Sequence, residues 1–118
     1  MSTALETALA YHEAWKSRDL DRAMSYIADD IVCDAPAGRL EGADAYRGFL
    51  TPFVGMLRSA TMLAAFGDDD RALVMYDAET VPVPSAPGAE LVTVREGRIV
   101  HSRFLFDRAP FEAARRQG

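Results

Sequence analysis

The chain has 118 residues, 49% hydrophobic and 26% charged, with 13 Lys and Arg against 18 Asp and Glu for a net charge of −5. That is the length of one domain, residues 1–118, too short for two independently stable cores, and the composition of a globular chain rather than a disordered or fibrous one. The basic residues are scattered and pair only at Arg115-Arg116, no apolar run approaches the roughly 18 residues that span a bilayer, and one cysteine with two histidines leaves no disulfide framework, so nucleic acid, membrane and dedicated metal sites are not expected.

Met1 to Leu9 carry Glu6 and no Lys or Arg, unlike the basic start of a signal peptide, which makes a cytoplasmic location the expectation. Thr3 followed by Glu6 is a capping-box pattern, and the spacing predicts a helix to about Lys16 with Leu5, Ala8, Leu9, Tyr11 or His12, and Trp15 on its apolar side. Asp19 is the expected cap of a second helix carrying Leu20, Ala23, Met24 and Ile27. Asp29-Asp30 punctuates, Ile31 to Asp34 reads as a short strand, and Pro36-Ala37-Gly38 as a turn.

Gly42 leads into a third helix with Tyr46, Phe49, Leu50 and Phe53, where Pro52 predicts a kink or an early stop. Strands are then expected over Ala60 to Phe66, closed by Asp68-Asp69-Asp70, and over Ala72 to Val83, whose end Pro82, Pro84 and Pro87 turn into an edge or loop. Glu90 to Val94 and Ile99 to Phe106 form a hairpin about Glu96-Gly97, and Pro110 starts a short terminal helix through Arg116. Helices followed by an antiparallel meander is an α+β layout.

The stretches Tyr11-x-Glu13, Asp19-Leu20, Tyr26-Ile27-Ala28-Asp29-Asp30, Pro36-x-Gly38 with Gly42, Gly97-Arg98-Ile99, and Phe106-Asp107-x-x-Pro110-Phe111 resemble the SnoaL-like branch of the nuclear-transport-factor-two-like superfamily. That superfamily includes ketosteroid isomerase, polyketide cyclases and limonene epoxide hydrolase. The resemblance covers nearly the whole chain. It implies a cone of three N-terminal helices on a strongly curved, mostly antiparallel sheet, with an internal pocket at the open end and dimerisation through the outer sheet face. Matched from the first helix, the isomerase tyrosine falls on Tyr11, its base on Ala35 beside Asp34, and its second acid near Glu90. No spacing reproduces the Asp-Arg-Asp set of the epoxide hydrolase.

Three groups are therefore catalytic candidates. Tyr11 is a hydrogen-bond donor to a carbonyl or oxyanion, or an amphipathic core residue. Asp34 is a general base at the pocket mouth, or a surface carboxylate before Pro36. His101 alternates with Arg103 and Asp107 against Ser102, Phe104 and Phe106, so one set faces the cone and the other a sheet-to-sheet contact; the resemblance places Ser102, Phe104 and Phe106 inside. Trp15, Phe53, Tyr76, Phe104 and Phe106 are the expected apolar walls. With Tyr76 inward, Asp77 and Glu79 lie on the dimer face, where Arg103 and His101 are the expected partners. His12 reads as a satisfied or exposed side chain, Glu90 as an exposed strand residue, Cys33 as a small buried one, and Met56, Met62 and Met75 as packing.

Three functions fit these residues. The first is a cofactor-independent isomerase, cyclase or hydratase acting on an apolar, carbonyl-bearing substrate. The second is a non-catalytic domain holding a small apolar organic ligand in the same cone. The third is an interaction module whose dimerising sheet is the working surface.

Overall fold

In the computed structural model, which describes residues 3–81 and 83–117, helix α1 (Ala4–Lys16) opens on the expected capping box. The Thr3 side chain accepts from the Glu6 amide, and the Glu6 carboxylate accepts from the Thr3 amide. Its buried face carries Ala4, Thr7, Ala8, Tyr11, His12, Ala14 and Trp15, while Leu9 stays exposed. Asp19 caps α2 (Leu20–Met24), which is one turn shorter than its apolar spacing suggests. Ile27 leaves the helix to begin strand β1 (Ile27–Ala35), pairing with Ile99.

The turn after Ala35 returns the chain as β2 (Gly38–Glu41), a four-residue strand not expected from its sequence. Helix α3 (Ala43–Met56) begins after Gly42, whose φ of 92° suits the residue without a Cβ. It runs through Pro52 for a further turn, because Leu50 and Val54 on either side are buried in the core and offset the lost hydrogen bond. Pro82, expected at the end of a long strand, lies outside the described residues; the strand itself ends at Thr80, whose hydroxyl donates to the Val83 carbonyl.

The remaining strands are β3 (Leu57–Gly67), β4 (Arg71–Thr80), β5 (Ala86–Arg95) and β6 (Arg98–Phe106), followed by helix α4 (Ala109–Gln117). The β5–β6 hairpin turns on Glu96 and Gly97, both at positive φ, as a two-residue turn of matching twist requires. One six-stranded sheet results, in the order β2-β1-β6-β5-β4-β3. Every pairing is antiparallel except β1 with β6. Among the described residues the fold is α+β, with a mixed sheet and four helices.

Strand alternation decides which residues meet the helices. On β4, Ala72, Val74, Tyr76, Ala78 and Thr80 are buried, and on β5 so are Ala86, Gly88, Glu90, Val92 and Val94. Ser102 and Phe104 continue that inner face on β6. The outer face carries Leu73, Met75 and Leu105, all substantially exposed.

Candidate functional site

A cleft of about 360 Å³ lies between α3, the ends of β4 to β6, and α4. Helix α3 contributes Phe49, Leu50, Pro52, Phe53 and Met56; the sheet contributes Tyr76, Ala86, Phe104 and Phe106. Helix α4 and the residue before it close the remaining side with Phe111, Arg108 and Arg115. The aromatic rings form a connected belt with edge-on geometry: Phe49 on Phe104 at 5.7 Å, Phe104 on Phe106 at 5.6 Å, and Phe106 on Phe111 at 5.8 Å between centroids. Phe53, Tyr76, Phe104 and Phe106 therefore face the cleft. Trp15 packs behind it, its ring 5.4 Å from Phe53 and 5.1 Å from Tyr76.

Deeper in the core lies a polar cluster contributed by four different elements. The Tyr11 and Tyr46 hydroxyls are 2.5 Å apart, and the Tyr46 hydroxyl donates to Glu90 Oε2 at 3.1 Å. Ser102 donates to the same carboxyl oxygen. Burial raises the pKa of Glu90 above the usual carboxylate range, opposed by the hydrogen bonds from Ser102 and Tyr46. Burial also pushes the Tyr11 and Tyr46 hydroxyls up, helped by the Glu90 charge, and lifts the neighbouring Cys33 thiol to about 11. None of these residues lines the cleft; Phe49 and Leu50, one turn beyond Tyr46, and Phe104, paired with Glu90, stand between.

Glu90 is thus buried, contrary to its expected place on an exposed strand. The physical reason is parity: it shares the inner face with Gly88, Val92 and Val94, and two hydroxyls meet its carboxyl. The period-two run from Ala86 to Val94 is the signal that would have found it. Nothing local in the sequence points to Tyr46 and Ser102 as its partners.

Asp34 and His101 lie elsewhere. On β1, Cys33 faces the core and Asp34 the opposite side of the sheet, so the expected trio with Tyr11 is not assembled. The Asp34 carboxylate meets His101 Nε2 at 2.9 Å, Arg39 Nε at 3.2 Å and an Arg103 guanidinium nitrogen at 3.7 Å. Its hydrogen bond to His101, then that to Arg39, holds its pKa below the ordinary value, which suits an ionised structural partner rather than a general base. Ala35, beside it, is the residue packed towards the core.

The expected ion pairs of Asp77 and Glu79 with Arg103 and His101 do not form. Asp77 accepts from the Ser85 hydroxyl and Glu79 from Ser59, while Arg103 turns to Asp34 across β1. His12 is neither exposed nor satisfied. It is buried with both ring nitrogens unpartnered, 4.4 Å from the Trp15 ring and 5.5 Å from Tyr76, and desolvation pulls its pKa down to about 4. No helix of the described residues is long and apolar enough to cross a membrane.

Residues 8–102 match the SnoaL-like domain family. A protein from Kribbella flavida DSM 17836 is similar at 56% identity over 100% of both chains, with a TM-score of 0.94. A nuclear-transport-factor-two-like protein of unknown function from Cytophaga hutchinsonii shares the fold at 17% identity and a TM-score of 0.79, covering 95% of this chain and 96% of its own. TerC, co-crystallised with polyporic acid, superposes with a TM-score of 0.77 at 19% identity, over 95% of this chain and 97% of that one. No functionally curated protein matches the chain.

Proposed function

The chain belongs to the SnoaL-like domain family, and from that premise we propose that it is a small-molecule-binding protein whose aromatic cleft takes a compact, largely apolar organic ligand. The cleft itself carries this reading: about 360 Å³ is within the range of small-molecule sites, and its walls are almost wholly apolar. The co-crystallisation of TerC, a protein of the same fold, with polyporic acid supports it.

A second reading rests on Glu90. The Glu90 carboxyl, its pKa raised by burial and linked to Tyr46 and Tyr11, belongs to a set able to hydrogen-bond a carbonyl or a developing oxyanion of a ligand that reaches past Phe49, Leu50 and Phe104. Proton transfer also needs a base, and Ala35 stands at the inward position of β1 where a carboxylate would serve. The cluster therefore fits carbonyl recognition better than isomerase or cyclase turnover. The outer face of the sheet, with exposed Leu73, Met75 and Leu105, is the surface we assign to a homodimer contact.

The test uses a neutral fluorescent probe, N-phenyl-1-naphthylamine. It should bind the purified protein with enhanced emission, and Ala37→Phe, which plugs the cleft from an exposed turn, should abolish that binding without changing the circular dichroism spectrum. Equal binding by the wild type and the plugged variant removes the cleft from consideration. For the second reading, Glu90→Gln should weaken carbonyl-bearing ligands and leave the amine probe unaffected.

A further inference from the structure

The cleft holds one chemical discontinuity. Arg108, Phe111 and Arg115 recur at i, i+3 and i+7, one stripe of α4 and its leading residue, and all three line the cleft. Two arginine side chains thus border a wall of aromatic rings, with Phe111 against Phe106 between them in sequence. Among the described residues, no acidic side chain lines the cleft. Arg108 is held at 3.2 Å by Glu112, whereas Arg115 has no ion-pair partner among the described residues. In a chain of net charge −5 this is a local reversal of sign at the mouth of an apolar site.

We propose that the ligand is an apolar organic acid, its ring or alkyl body in the aromatic cleft and its carboxylate at Arg108 and Arg115. This rests on the reading of the cleft as the ligand site. A guanidinium fork matches a carboxylate geometrically, and its stem packs on apolar surface while the head stays hydrated. The same rim leaves an uncharged ligand of equal size with no partner for the arginines. A carboxylate at these arginines leaves the ring system to the aromatic wall, which fixes the orientation: acid group towards α4, rings against Phe49, Phe104 and Phe106.

Isothermal titration of the full chain with 2-naphthoate and its neutral isostere 2-naphthamide tests this directly. The acid should bind about tenfold tighter than the amide, the worth of one charge-assisted contact. That preference should shrink as salt is raised and vanish in the Arg108→Gln/Arg115→Gln double variant, for which acid and amide affinities should be equal. Arg115→Lys should keep part of it. Equal binding of acid and amide overturns the acid assignment while the cleft reading stands, and so does a preference that survives in the double variant. If neither compound binds, the acid assignment and the cleft reading fall together.

Discussion

His12 and Glu90 are two buried titratable groups whose effects on stability run in opposite directions with pH. His12 is held neutral, with a folded value of about 4 against an ordinary 6.5. Its stabilising contribution is complete above pH 6.5 and is lost as the pH falls towards 4, a change of about 3 kcal/mol across the window. His12→Leu should therefore flatten the fall in urea midpoint between pH 7 and pH 4.5; an unchanged slope would place the titration elsewhere. Glu90 has a raised value, so its contribution is present below its unfolded value and is lost as pH rises through the folded one. Glu90→Gln, which keeps an acceptor for Tyr46 and Ser102, should gain on the wild type as pH rises from 5 to 8 in the same denaturation experiment. The placement of Phe53, Tyr76, Phe104 and Phe106 on the cleft was legible because type and period suffice for it, whereas Trp15, expected among them, packs behind. The partners of Glu90 were not, because they come from residues 44 and 12 positions away along the chain.

Strand faces impose limits that no single residue announces. Tyr76 lies over β5 at Gly88, where an added Cβ would sit 2.9 Å from the tyrosine hydroxyl and 3.0 Å from its ring carbon. Tyr76 is almost fully buried and has little room to yield. Gly88→Ala should cost about 1–3 kcal/mol by overpacking, and Tyr76→Phe in the same chain should restore part of it, since the hydroxyl contact is gone while the ring contact remains. A double-mutant cycle by thermal denaturation reads the coupling; strict additivity would mean that the glycine serves only the backbone. The helices, the β5–β6 hairpin and the α4 segment were legible from caps, turn residues and period. β2 was not, because Gly38 to Glu41 has no apolar alternation and forms its ladder only against β1. The start of β1 was also hidden, since Asp29-Asp30 resembles a turn yet lies in a strand whose pairing shifts register between Ile27 and Val32.

At the scale of the whole molecule, the outer sheet face is organised as rows across neighbouring strands. Phe66, Leu73 and Leu91 form one, continuing to Arg103; Ala64, Met75, Ala89 and Leu105 form the next. Asp34, His101, Arg39 and Arg103 border this apolar surface as an ion-paired and hydrogen-bonded cluster. The proposed homodimer should appear in light scattering at micromolar concentration, and Met75→Glu should yield a monomer with unchanged far-ultraviolet circular dichroism. Dimers that persist in Met75→Glu would exclude this face. The α+β class could be read from helical spacing giving way to strand period, and alternation split the last strand into two faces of which the family resemblance set Ser102, Phe104 and Phe106 inward. The mixed character of the sheet could not be read, because the parallel pairing of β1 with β6 leaves no local mark.

That parallel pairing also shapes how the chain acquires its fold. Asp34 and His101, bonded across it, are separated by 67 positions, and closing so long a loop is slow because its entropy is lost before its contacts are gained. During synthesis, α1 emerges with Tyr11 and Trp15 unburied, and β1 with one edge unpaired, until β5 and β6 have been made. The first third of the chain is consequently the part that waits longest for its partners during synthesis, with apolar surface and a strand edge open to association in the meantime.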